Sequence, residues 1–94
     1  MKHLTIMYDI SSTRLRNRLV KILEEFGERV QYSVFEFTLT KAQHVNLFQR
    51  LKNAGFMEGE TDEYKLRMYH HDKDDKIENY GEKPSRDNEN LFYM

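Results

Sequence analysis

Residues 4–12 read Leu4-Thr5-Ile6-Met7-Tyr8-Asp9-Ile10-Ser11-Ser12. In a strand from about His3 to Tyr8, Leu4, Ile6, Tyr8 and Ile10 fall on one side and Thr5, Met7 and Asp9 on the other. Both sides are partly apolar, which suits a strand in the middle of a sheet. It also means that the second side meets something other than water. The run ends in a carboxylate, and Thr13-Arg14-Leu15-Arg16-Asn17-Arg18 begins three residues after Ile10. An acid thus closes a central strand beside the start of an arginine-rich helix.

The helix is expected from about Thr13 to Phe26, with Leu15, Leu19, Ile22, Leu23 and Phe26 as its apolar stripe. Ser11, Ser12 or Thr13 can cap its N-terminus, and Gly27 is placed to end it. Arg14, Arg16 and Arg18 oppose the positive end of the helix dipole, at about 0.3–1 kcal/mol each. Arg29 to Leu39 is rich in β-branched and aromatic residues and reads as strand. It is either one long bent strand or a hairpin reversing near Tyr32-Ser33, because no Gly or Pro marks a turn. Thr40-Lys41-Ala42-Gln43 is a capping box. It opens a second helix to about Ala54, with His44, Leu47, Phe48 and Leu51 inward and Gly55 as terminator.

Phe56 to Glu63 reads as an acidic loop and Tyr64 to Tyr69 as an alternating strand. His71 to Lys76 is a charged loop, Ile77 to Tyr80 a short strand, and Gly81 to Asn90 irregular. Leu91-Phe92-Tyr93-Met94 is either a docked strand or a frayed end. With a hairpin in the middle the order is βαββαβ, an α+β ferredoxin-like pattern. Both helices then cover one face of an antiparallel sheet and leave the other open.

Composition narrows the function classes. Ninety-four residues make one domain, with about 1–70 as its core and about 71–94 as a C-terminal extension. Only 38% of the residues are hydrophobic, a thin supply that self-association would relieve. Cysteine is absent, which excludes disulfides and thiolate metal sites. No signal peptide or membrane span is recognisable, so the expected compartment is the cytoplasm. Net charge is -1, but residues 1–55 carry nine Lys/Arg against five Asp/Glu, and residues 56–94 six against eleven. A basic face on the first half could meet phosphates.

Each candidate residue has a plain reading beside a functional one. Asp9 can simply accept backbone N–H bonds at the next helix. Its functional reading is a ligand for a hard cation such as Mg²⁺, which takes one or two carboxylates plus substrate phosphate. One Asp per chain is a poor site, but two-fold pairing of open sheet faces would bring two Asp9 side chains together. Arg14, Arg16, Arg18 and Lys21 can be a solvated helix face, or a phosphate clamp with Arg29 as a further member. Tyr8, Tyr32, Phe35, Phe37 and Tyr69 are ordinary core or interface residues. On an open sheet they could stack bases, but the RNP signature of RNA-recognition sheets is missing. His70-His71-Asp72 with Asp74-Asp75 resembles a metal cluster only superficially, since adjacent strand residues point to opposite faces. No Gly-rich phosphate loop and no nucleophile–base pair is present.

Tyr8-Asp9-Ile10, Leu15-Arg16-Asn17-Arg18, Gly27 and Arg29-Val30-Gln31-Tyr32-Ser33-Val34-Phe35-Glu36 together resemble the CRISPR-associated protein 2 family. The likeness runs over nearly the whole chain. Leu66-Arg67-Met68-Tyr69 resembles that family's late strand, and Ile77 to Ser85 is similar to a C-terminal stretch of one branch. The resemblance implies a ferredoxin-like homodimer with facing sheets and an extra C-terminal strand that can join the partner's sheet. It implies a metal role for Asp9, with Mg²⁺ or another divalent cation such as Mn²⁺. It links Tyr8, Arg16, Arg18, Arg29 and Phe35 to nucleic-acid cleavage or support of the site. The implied activity is that of a metal-dependent endonuclease on RNA or DNA, and the implied partner is the CRISPR integrase in spacer acquisition. The rival readings are a non-catalytic DNA clamp and a ferredoxin-like regulator of a small ligand.

Overall fold

The computed structural model describes residues 1–59, 61–71 and 76–81. The chain runs β1 (Lys2–Asp9), α1 (Thr13–Glu24), β2 (Glu28–Gln31), β3 (Val34–Leu39), α2 (Lys41–Asn53), β4 (Lys65–His70) and β5 (Ile77–Gly81). The strands form one sheet in the order β2-β3-β1-β4-β5 with every neighbouring pair antiparallel. β1 is central, as its two-sided composition requires. It pairs β3 from Lys2↔Leu39 to Met7↔Val34 and β4 from Leu4↔His70 to Asp9↔Lys65.

The period of two decides which face is core. Leu4, Ile6, Tyr8 and Ile10 are buried, as are Phe35, Phe37 and Leu39 of β3 and Leu66 and Met68 of β4. Leu19, Ile22 and Leu23 of α1 and Leu47 and Leu51 of α2 pack on them in a single cluster. At about 1.5–3 kcal/mol for each large apolar side chain removed from water, this one-sided core supplies the main driving force. The opposite face, carrying Thr5, Met7, Asp9, Glu36 and Thr38, has no helix over it among the described residues. The architecture is α+β and ferredoxin-like in its βαββαβ order, with β5 as an added strand.

The ends of α1 differ from expectation at one terminus. Ser12 supplies the cap, its Oγ accepting from the Leu15 N–H at 3.2 Å. The helix ends at Glu24, two residues before Phe26, because the last turn tightens: the Glu25 N–H donates to Ile22 O and the Phe26 N–H to Leu23 O. Gly27 is not in the left-handed region. Its requirement is space, since a Cβ there would overlap the Phe37 ring and the Glu36 carbonyl. Gly55, by contrast, terminates α2 with φ 86° as expected of a helix-ending glycine. The capping box of α2 is complete: Thr40 Oγ1 accepts from the Gln43 N–H at 3.1 Å, and Gln43 Oε1 accepts from the Thr40 N–H at 2.9 Å.

Residues 28–39 are a hairpin, reversing at Tyr32-Ser33, with an irregular register between Arg29 and Gln31. The turn has no glycine because the central strand holds it. The Tyr8 N–H donates to Ser33 O at 3.1 Å, and the Tyr8 hydroxyl donates to Tyr32 O at 3.1 Å. Gly81, expected in an irregular stretch, instead ends β5 opposite Lys65. It has φ 96° and lies so close to the Tyr64 carbonyl that no Cβ fits. Residues 82–94, including the Leu91–Met94 end, lie outside the described residues.

Candidate functional site

Asp9 is the last residue of β1, exposed on the helix-free face. Its strand partner on β4 is Lys65, and Met7 faces Arg67 two pairs further along, on the same face. The acid therefore stands beside a cationic neighbour on the open sheet. None of the hydrogen bonds or ion pairs found among the described residues engages the Asp9 carboxylate. Among those residues no three His, Asp or Glu converge on one point. A hard divalent cation suits oxygen donors of this kind. A single chain supplies one carboxylate at this place, so the donor set fits only when a second copy brings its own Asp9 to the same seam.

The arginines separate. Arg16, half-buried, folds back on the strand end: its guanidinium donates to Ile10 O at 3.0 Å and to Thr13 Oγ1 at 3.3 Å. It braces the junction immediately after Asp9. Arg18 points the other way, donating to Ala54 O at 3.1 Å at the end of α2. With Lys21 and Arg50 it borders a groove between the two helices. Arg50 is held by Glu25 at 2.6 Å, which keeps the Glu25 carboxyl below the usual range. Arg14 and Lys21 are exposed on α1. α1 has no acid in its first turn to offset its arginines.

Tyr8, Arg29, Tyr32 and Phe35 form a third group. Tyr8 is 3% exposed and Phe35 0%, on the helix-covered side of the sheet, with ring centroids 6.4 Å apart. Arg29 lies over the Phe35 ring at 5.4 Å and over the exposed Tyr32 ring at 5.9 Å. It also donates to the Tyr8 hydroxyl at 3.4 Å. Cation–π stacking fixes the guanidinium at the edge of β2, with the hairpin beneath it. Tyr8 and Asp9 are adjacent in sequence, yet they project to opposite sides of the sheet.

Of the six residues singled out for cleavage, the fold thus joins Asp9 and Arg16 at one strand end. Tyr8, Arg29 and Phe35 lie behind the sheet, and Arg18 lies on the helix side. Lys65 and Arg67 were missed by sequence reasoning. Alternation over 64–69 puts them on one face, but their register against Asp9 is a long-range pairing that no local pattern encodes. His70 and His71 do point to opposite faces. His70 meets Glu78 at 2.6 Å, and His71 bonds Thr5 Oγ1 at 2.7 Å. Asp72, Asp74 and Asp75 lie outside the described residues. Among the described residues no helix is long and apolar enough to cross a membrane.

Comparison with known proteins bears on the frame that carries these residues. The family model for CRISPR associated protein Cas2 matches residues 1–77. A relative from Synechocystis sp., named CRISPR-associated endoribonuclease Cas2 3, is 42% identical over 64 residues, 68% of this chain and 65% of its own. The chain therefore spans about two thirds of that relative's length, and about half that of several others it matches. The crystal structure of a hypothetical protein from Thermus thermophilus superposes with a TM-score of 0.60 at 30% identity, covering 76% of this chain and 82% of that one. A chain from a structure titled partial Cas6-RT-Cas1--Cas2 complex gives a TM-score of 0.51 at 30% identity, covering 79% and 82%. The family-model match over residues 1–77, more than half of the sequence, together with these relatives, places this chain in the CRISPR associated protein Cas2 family.

Proposed function

We propose that this protein works as a homodimer in the acquisition of CRISPR spacers, as a divalent-cation-dependent endonuclease on RNA or DNA phosphodiesters that also serves as a scaffold for the CRISPR integrase. A cytoplasmic location goes with that role. One observation carries the reading: the Asp9 carboxylate is exposed at the end of the central strand and, among the described residues, has no partner and no helix over its face of the sheet. Two copies meeting through that face bring two such carboxylates to one seam. The endoribonuclease relatives and the likeness to a chain of a Cas1–Cas2 complex support the pathway.

Asp9 from each copy would hold the Mg²⁺ or Mn²⁺. The bound cation supplies charge stabilisation at a phosphate and a lowered water pKa. The chain's own residues do the rest. Arg16 fixes the Ile10 carbonyl and so the angle at which Asp9 leaves the strand. Lys65, across from Asp9, adds positive charge where a phosphate approaches. Tyr8, Phe35 and Arg29 support the site from behind, holding the hairpin against β1. Arg14, Arg18 and Lys21 bind the backbone of the nucleic acid along α1.

Asp9→Asn tests the chemistry. Cleavage by the parent protein requires a divalent cation, and the variant remains dimeric and does not cut. A variant that cuts as fast as the parent removes Asp9 from the mechanism. A second reading, a clamp that binds DNA without cutting it, is favoured by one observation: Arg16 and Arg18 spend guanidinium N–H groups on the chain's own carbonyls. Spacer acquisition in cells carrying Asp9→Asn separates the two, because the clamp predicts normal acquisition.

A further inference from the structure

Tyr32 stands at the reversal between β2 and β3, and it is 71% exposed. A lone exposed aromatic calls for no explanation, but this one is held in place. The turn is pinned from the central strand by two bonds of 3.1 Å, from the Tyr8 N–H to Ser33 O and from the Tyr8 hydroxyl to Tyr32 O. Both end on backbone carbonyls. They fix where the Tyr32 side chain starts without using its ring or its hydroxyl.

Behind the ring runs a ladder of flat groups. Phe37 and Phe35, both in the core, have centroids 6.2 Å apart and planes 23° from parallel. The Arg29 guanidinium lies over Phe35 at 5.4 Å and over Tyr32 at 5.9 Å, and it is anchored to the Tyr8 hydroxyl at 3.4 Å. The ladder therefore passes from core to surface and stops at Tyr32. Among the described residues only Arg29 is stacked on that ring. A cation behind an aromatic ring orders it before any ligand arrives, which lowers the cost of stacking on its other face.

A nucleobase suits this ring better than a protein segment does. Val30 is the other exposed apolar side chain nearby, with Gln31 and Ser33 next to Tyr32, so the patch is too small to anchor a protein. The charge favours a polyanion: besides Arg29, α1 begins shortly after Tyr8 with Arg14 exposed and no acid in its first turn. In a duplex both faces of a base are already covered by its neighbours, whereas an unpaired base has a face to offer.

We propose that Tyr32 is the stacking platform for one unpaired base and so a specificity-determining residue that selects single-stranded nucleic acid. The inference rests on the nucleic-acid reading given above and adds the form of the strand to it. Cationic side chains hold phosphates of either form, but only an unstacked base engages Tyr32. Asp9 directly follows Tyr8, so the base held at the turn belongs to the stretch of strand that passes the acid.

The chain has no tryptophan, so Tyr32→Trp places a single reporter at the platform. Its emission is followed, with a chelator present to prevent cleavage, as short oligothymidylate, oligouridylate, an abasic oligonucleotide of the same length or a blunt duplex is added. The parent, Tyr32→Ala and Tyr32→Phe are compared in parallel by anisotropy of the labelled strands at one salt concentration. The expected result is emission typical of an exposed indole, quenched by the two natural single strands and not by the abasic strand or the duplex. Tyr32→Ala binds the single strands about five- to hundredfold more weakly, and Tyr32→Phe, which keeps the ring, stays within about twofold of the parent. Stronger quenching by one of the two strands assigns the platform to DNA or to RNA, and either supports it. Blue-shifted emission before any strand is added means that protein covers the ring, and it overturns the proposal. So does equal binding of abasic and natural strands, or a loss in Tyr32→Phe as large as in Tyr32→Ala. Strands that bind without quenching the indole sink the platform alone, whereas strands that do not bind the parent sink the nucleic-acid reading with it.

Discussion

Tyr8→Phe separates a structural role for this hydroxyl from a chemical one. The hydroxyl donates to the Tyr32 carbonyl at 3.1 Å and receives Arg29 at 3.4 Å. The first bond is slightly long for a hydroxyl donor and the second is at the limit of one, so the loss is dominated by the first. Tyr32 is 71% exposed, so water can reach the turn and replace the missing donor, leaving no buried orphan. The net cost is then about 1 kcal/mol, which for a domain of this size lowers the midpoint of thermal unfolding by about 4–8 °C. The ring itself, packed against Phe35, remains. Circular dichroism reads the midpoint, and cleavage is assayed well below it. If the hydroxyl only pins the hairpin, Tm falls by that amount and metal-dependent cleavage changes less than about threefold, under 1 kcal/mol of transition-state stabilisation. Loss of cleavage with Tm unaltered would refute the reasoning and place the hydroxyl in the chemistry.

Other consequences follow from the same geometry. Gly27→Ala drives a methyl into the Phe37 ring and the Glu36 carbonyl, and it costs about 1–3 kcal/mol by overpacking, read as a lower Tm. His44 has its pKa lowered by burial, His70 and Lys2. The unfolded chain therefore binds more protons over that interval, so stability is fully present above the ordinary value of 6.5 and is lost as pH falls through the lowered one. Melting in phosphate-free buffer should show Tm falling on acidification below about pH 6.5, and His44→Phe should flatten that limb. Arg14→Gln with Lys21→Gln leaves Tm unchanged, because both side chains are exposed. On duplex DNA, the slope of log affinity against log salt becomes shallower by about 0.9 for each phosphate that the variant no longer neutralises.

What the sequence made legible follows the range of the interaction. The alternation of Leu4, Ile6, Tyr8 and Ile10, the Thr40–Gln43 capping box and the stripe of α1 are local signals, and all three elements form, α1 stopping two residues short of Phe26. The hairpin at Tyr32-Ser33 was not decidable, because its turn is held by Tyr8 from another strand and not by a glycine within it. Gly27 looks like a helix stop in the sequence, whereas its constraint is the nearness of β3, which no helix rule contains. At the candidate site Asp9 and its open face were legible from periodicity alone. The pairing with Lys65 and the retreat of Arg18 toward Ala54 depend on register and packing between distant segments.

The proposed chemistry stands or falls on what two Asp9 carboxylates do together. Mn²⁺ binding, followed by electron paramagnetic resonance on protein whose mass in solution is measured in parallel, tests this without reference to any substrate. The prediction is one tightly held ion for each pair of chains, lost in Asp9→Asn while the pair persists. An ion retained by the variant, or a protein that stays a single chain under conditions where it cuts, contradicts it.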